Sequence, residues 1–257
     1  MIAHGFLQAL STLVLACGIL SMEARADGEG EFLAGTSKTC ARCFLERVVL
    51  KRRDLSGVDM SGARLARAVL HRAKLARAVL VDADLTEANL NKTDLKNTSM
   101  SGAKLSGALL YEADLGLADL TGAVLSGAKM GKARLVRAVL DRAQLQEAIL
   151  TGARFDDASL RGAQLRGANL VGASLRRTNL EGADLNNAGL VDAVLANANL
   201  KKANLVEADL LGADLTGTNL AGADLSGSRL TRAILTDAVL DRATLTGAIM
   251  PDGSVHD

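Results

Sequence analysis

The sequence predicts an all-β solenoid, a chain wound into about ten stacked coils of four five-residue units, square in section. Three observations carry that prediction. A large apolar residue stands at every fifth position from Leu55 to Met250. Of those 40 positions 35 are Leu, four are Met (Met60, Met100, Met130, Met250) and one is Phe155. Two residues earlier stands a small one: from Ala63 to Ala248 that slot holds 33 Ala in 38, the exceptions being Thr93, Thr98, Thr178, Thr218 and Ser228. Charges, finally, alternate in sign at a spacing of 20 residues.

The period of five excludes the ordinary elements. On a helix, leucines five apart drift by about 140° each time and leave no apolar face. On a flat strand the step of three throws the next pair to the opposite side. A short extended piece followed by a corner after every five residues satisfies both spacings, and such a chain must coil. Leu at the centre and Ala beside it leave a narrow, solid interior.

The charges set the size of the coil. If a coil closes after 20 residues, side chains i and i+20 are neighbours, and opposite charges are favoured there. Between residues 54 and 252, a separation of 20 gives 16 opposite and 3 like pairs; 15 gives 11 and 6, and 25 gives 4 and 10. Four pentapeptides per coil follow. Ten coils at about 4.8 Å make a rod roughly 48 Å long.

Stretches such as Ala83-Asp84-Leu85-Thr86-Glu87, Ala88-Asn89-Leu90 and Ala213-Asp214-Leu215-Thr216-Gly217 resemble the repeat of the pentapeptide repeat family, Ala-(Asp/Asn)-Leu-x-x. The resemblance covers about four fifths of the chain. It implies a right-handed quadrilateral parallel β-helix, and the handedness comes from the resemblance alone. Many residues before the Leu depart from Asp/Asn, among them Arg64, Val79, Arg134, Arg154 and Ile234. That slot points outward, so the fold stands.

The ends differ from the array over 54–250. Residues 1–26 read as a signal peptide: Phe6 to Leu20 is apolar, and Ala24-Arg25-Ala26 has the small-x-small form of a cleavage site. The n-region carries no Lys or Arg, only His4. The alternatives are a buried N-terminal helix, a true start at Met22, or lipid attachment at Cys17 in Val14-Leu15-Ala16-Cys17. Export to a bacterial periplasm with cleavage after Ala26 is the expectation. Residues 27–39, rich in Gly, Ser and Thr, read as a short linker, and 40–53 as an N-terminal cap with a C-x-x-C pair. Cys40 and Cys43 fall on inward slots, and an oxidising compartment would join them in a disulfide. The competing readings are a redox-active pair or half of a zinc site. Arg53 occupies an inward slot and breaks the apolar rule. Residues 251–257 read as a tail in which Pro251 stops the ladder. The last coil, Leu235–Met250, is left partly open, and pairing of two rods through that edge is a route to a homodimer.

No catalytic constellation, metal cluster or cofactor motif is read from the sequence, so no cofactor is expected. His71 projects outward among Arg67, Arg72 and Arg77, and a solid interior leaves no pocket. Acidic pairs such as Asp156 and Asp157 have Arg137, Arg176 and Arg177 as coil neighbours, which favours the ionised form. Three surface features remain. Arg67, Arg72 and Arg77 belong to a basic first stretch suited to an anionic envelope surface or an acidic protein. Arg134, Arg137 and Arg154 form a second basic cluster, without the interleaved aromatics that stack on bases, so nucleic acid is not the expected partner. Val171, Val191 and Leu211 share one outward slot on three consecutive coils, either a docking stripe or β-formers stabilising that face.

These features predict an exported, non-enzymatic rod acting as a structural or protein-interaction scaffold of the cell envelope, with a partner the sequence does not name. One alternative comes from the family resemblance: some members mimic duplex DNA and protect DNA gyrase from quinolones. This chain departs from them in its net charge of +1, its uninterrupted coils and its lack of a C-terminal helix. A thiol-active envelope protein using Cys40 and Cys43 is the other.

Overall fold

The computed structural model describes residues 28–257. The predicted signal peptide, 1–26, and its alternative anchor Cys17 lie outside the described residues.

From Thr39 to Ile249 each pentapeptide pairs with the one 20 residues later. Parallel bridges run Thr39↔Asp59, Phe44↔Arg64, Val49↔Val69, Asp54↔Lys74 and onward without a slip to Arg229↔Ile249. Each side of the coil is so short that one residue per pentapeptide, the one before the Leu, makes the bridge. Four outward faces result, and they are named here by their first coil: the Phe44, Val49, Asp54 and Asp59 faces. The array slots of Leu, Met and Phe155 turn inward with the Ala beside them, and from Met60 to Leu230 they are buried almost completely. Burying each Leu contributes about 1.5–3 kcal/mol, which is what drives the array to stack.

The backbone accounting shows why the corner follows every fifth residue. In the unit 65–69, Leu65 N–H donates to Asp84 O (2.6 Å), Arg67 N–H to Thr86 O (2.8 Å), Ala68 N–H to Leu65 O (2.9 Å) and Val69 N–H to Val48 O (2.8 Å). The third of these closes a β-turn, and its third residue has positive φ at all 42 corners from Arg42 to Gly247: 16 are Gly and 26 are not. A glycine such as Gly162 (φ 62°) takes that left-handed conformation freely, whereas Arg142 below it (φ 58°) is held there by the ladder on both sides. One N–H per unit remains, that of the first corner residue. Where Asp or Asn precedes the Leu, its Oδ1 accepts that N–H: Asp84 from Thr86 (3.0 Å), Asp214 from Thr216 (3.0 Å), Asn219 from Ala221 (3.0 Å). The outward slot is therefore also a turn cap, a role the sequence pattern alone does not disclose.

The N-terminal end differs from the expected linker and cap. Residues 28–34 form a helix, α1, ended by Gly35 at φ 82° with Gly35 N–H on Phe32 O (3.0 Å) and Thr36 N–H on Glu31 O (2.9 Å). Phe32 is only 1% exposed, so α1 closes the end of the core. Its glycines hid that role from a composition reading. Residues 40–53 are not a separate cap but the first coil, in full register with the second. Arg53, the residue that broke the apolar rule, ties the two together: its Nη1 donates to Leu33 O at the end of α1 (2.7 Å), and Phe44 N–H donates to Glu29 Oε1 (2.8 Å).

The tail over 251–257 turns back. Val255 bridges Ile249 antiparallel, with Met250 N–H on Ser254 O (2.7 Å) and His256 N–H on Ala248 O (2.9 Å). It covers one edge of the last coil. Leu235, Leu240 and Leu245 on the other three remain only half-buried, and Ile234 and Val239 are exposed.

Candidate interaction surface

The structure joins Cys40 and Cys43 with an S–S bond of 2.06 Å across a corner closed by Cys43 N–H on Cys40 O (3.3 Å). Both side chains are buried beneath the cap. With both sulfurs used in the bond, the pair offers no thiolate to a zinc ion.

The three arginines of the first basic stretch do not form a patch. Arg67, Arg72 and Arg77 stand at three successive corners of one coil and therefore point in three directions around the rod. Arg67 is bound by Glu87 (Nε–Oε2 2.7 Å), a hydrogen bond that raises its pKa. The ring of Tyr111 lies across Gly131, where a Cβ would meet it at 3.4 Å, with Lys132 Nζ 5.9 Å from the ring centroid. Gly131 thus marks a close approach, which the sequence showed only as a gap in a column.

The second basic cluster is brought together. Arg134 and Arg154 bridge on the Asp54 face, and Arg137 stands at the adjoining corner. Asp114 lies 3.6 Å from Arg134, and Asp156 accepts from Arg154 Nη2 (3.0 Å) and from Ser174 Oγ. Asp156 therefore pairs within its own unit rather than with Arg176. Asp157 accepts two hydrogen bonds from Arg177 (2.6 and 2.9 Å), which lowers its carboxyl below the usual range and raises the guanidinium. Of the 11 ion pairs among the described residues, seven join i to i+20, among them Asp54–Lys74, Lys92–Glu112 and Asp209–Arg229. Each is exposed and worth about 0–1 kcal/mol.

Val171, Val191 and Leu211 line one corner on three consecutive coils, all half-buried. Gly172 and Gly212 follow two of them, and a Cβ at Gly189 on the adjoining face would meet nothing within 4 Å. The stripe therefore has little beside it to screen it. An open cleft near the N-terminal end lies over Ala66, lined by Glu46, Arg47, Arg67, Asp84, Thr86 and Glu87.

The family model for pentapeptide repeats matches 43–80, 78–116, 118–157, 158–195, 193–232 and 213–250. The chain belongs to the pentapeptide repeat family. Pentapeptide repeat proteins form right-handed quadrilateral β-helices and are generally non-enzymatic scaffolds. Among solved structures, the chain is similar to HetL, a pentapeptide repeat protein involved in heterocyst differentiation regulation from the cyanobacterium Nostoc sp. Strain PCC 7120. The identity is 34%, covering 88% of this chain and 96% of that one, with a TM-score of 0.47. A pentapeptide repeat protein of the Arabidopsis thaliana thylakoid lumen is 37% identical over 37% of this chain and 66% of its own, with a TM-score of 0.36. QnrB1, a plasmid-mediated fluoroquinolone resistance protein, is 23% identical over 59% and 79%, with a TM-score of 0.37. The family assignment rests on the repeat match and not on these superpositions. No protein of curated function matches the chain.

Proposed function

We propose that this pentapeptide repeat protein is an exported, non-enzymatic rod of about ten coils that serves as a protein-interaction scaffold in the cell envelope. The observation that carries the scaffold reading is the corner stripe Val171, Val191 and Leu211, three aliphatic side chains set in register on consecutive coils and flanked by Gly172 and Gly212. A pitch of about 4.8 Å matches the spacing of paired strands, so a partner's extended segment can lie along the stripe. Export is supported by the apolar run Phe6–Leu20 before Ala24-Arg25-Ala26 and by the Cys40–Cys43 disulfide, a bond that persists in oxidising compartments. The open edge at Leu235, Leu240 and Leu245 supports end-to-end pairing of two rods as a further mode of assembly.

Intact mass of the full chain expressed in a bacterium, with and without reductant, tests the export half. A mature start at Asp27 with an oxidised pair is the expected result. A diacylated start at Cys17 would place the rod on a membrane instead. An unprocessed chain with free thiols would overturn export. The scaffold half is tested by Val191→Asp, expected to abolish partner recovery by cross-linking in the envelope while leaving the melting profile in place. Unchanged recovery would remove the stripe from the reading.

A further inference from the structure

The left-handed corner position follows a rule along the rod. Of its 26 non-glycine residues, 25 are Arg, Lys, Asp, Glu or Asn; the exception is Leu117, at φ 60°. Leu117 is 55% exposed. A leucine there is unfavourable twice over, through a backbone region that non-glycine residues avoid and through apolar surface left in water. Burial within the fold does not offset either cost.

The surroundings of Leu117 extend the apolar surface. Its N–H donates to Val136 O (3.1 Å) on the next coil, where Val136 is half-buried and Val139, on the adjoining Asp59 face, is 38% exposed. Gly116 leaves the position beside Leu117 without a side chain. Charge around this pad is unbalanced. Asp114 accepts Gly116 N–H (3.1 Å) and lies 3.5 Å from Lys96 and 3.6 Å from Arg134. Asp119 accepts from Thr121 N–H and Oγ1 (2.9 and 2.6 Å). Arg137 occupies Leu117's own slot one coil on, about 4.8 Å along the rod, and makes no ion pair among the described residues.

We propose that Leu117, Val136 and Val139 form a docking pad for a protein segment that presents an apolar side chain flanked by carboxylates, with Arg137 as its charge partner. The nearby acids are engaged and the free charge is cationic, so a carboxylate is the group that complements the rim. An apolar centre beside an arginine is also the usual make-up of an energetic contact point. The proposal rests on the scaffold reading and adds a second surface to it, on a different corner from the Val171 stripe.

The test is a random peptide library panned against the full chain and counter-selected on Leu117→Asn. Asparagine suits the left-handed slot, as at Asn97 and Asn197, so the variant removes the apolar pad without straining the corner. Enrichment of peptides with an apolar residue flanked by Asp or Glu is expected. Leu117→Asn and Arg137→Glu should each weaken them about tenfold or more. Peptides that bind Leu117→Asn unchanged, or that are enriched in Lys and Arg, overturn the proposal. Peptides lost with Val191→Asp but not Leu117→Asn would leave the scaffold reading standing and dismiss this pad. A lowered melting temperature of Leu117→Asn would make the leucine structural and overturn the proposal. Self-association of the wild type that Leu117→Asn abolishes would make the occupant a second copy, against the proposal.

Discussion

Ser228 occupies the inward small slot, is 0% exposed, and its hydroxyl is the one buried side-chain polar atom without a hydrogen-bond partner among the described residues. The threonines that share the slot solve the same problem. Thr93, Thr178 and Thr218 donate to the carbonyls of Leu70, Phe155 and Leu195 (2.9, 2.8 and 2.9 Å), and Thr98 donates to Leu95 O (2.6 Å). A buried hydroxyl left unpaired costs about 1–3 kcal/mol. Ser228→Ala removes that cost, creates a void of one oxygen, and restores the residue found at 33 of the 38 slots. A net stabilisation of about 1 kcal/mol or more is expected, which for a domain of this size raises the melting temperature by roughly 2–4 °C per kcal/mol. Stability in a stacked array is local, so amide exchange in the coils around Ser228 should slow most. Thr218→Ala is the internal control, and it should shift both readouts the other way by about 1–2 kcal/mol through a lost hydrogen bond and methyl group. Destabilisation by Ser228→Ala equal to that of Thr218→Ala would refute the reasoning, because the serine hydroxyl would then have to be satisfied in solution.

Three further outcomes follow from the same geometry. Gly162→Val should lower stability by about 1–2 kcal/mol while Gly162→Asn costs less, since the site has room (Arg142 Cγ at 3.8 Å) and φ of 62° is what selects; equal thermal melts for the two would contradict this. Hydrogen bonds from Ser61 and Thr216 lower the carboxyl pKa of Asp59 and Asp214 in the folded state, so their stabilisation is present above the unfolded value and lost as pH falls through the folded one. Melting temperatures should therefore drop on acidification below about pH 4, and Asp59→Asn, which keeps the acceptor, should flatten the profile. Replacing Cys40 and Cys43 with Ser should cost about 2 kcal/mol for so short a loop. Hydrogen exchange should quicken in α1 and the first coils and leave the coils past the middle of the rod unchanged.

Much of this architecture is legible in the chain because every coil repeats the same local problem. The beat of Leu and Ala specifies what turns inward, and charges 20 apart report the neighbours, since neighbouring coils differ only by a constant offset in number. The ends escaped that logic. Phe32 and Arg53 break the pattern, and only their meeting through α1 shows that one plugs the core while the other fastens the plug. The Asp/Asn slot was legible as outward but not as a turn cap, because the N–H it serves is orphaned only once the ladder has used the other four. The basic residues divided in the same way. Arg67, Arg72 and Arg77 are close in number yet separated by corners, whereas Arg134 and Arg154 are 20 apart and adjacent. Leu117 was an unremarked leucine among many until its positive φ and its exposure set it apart. Periodicity determines the scaffold from the sequence alone, because it depends on spacing. Which surface residues stand together, and which are strained or left unpaired, was decided only when the coils closed, because those properties belong to contacts between coils.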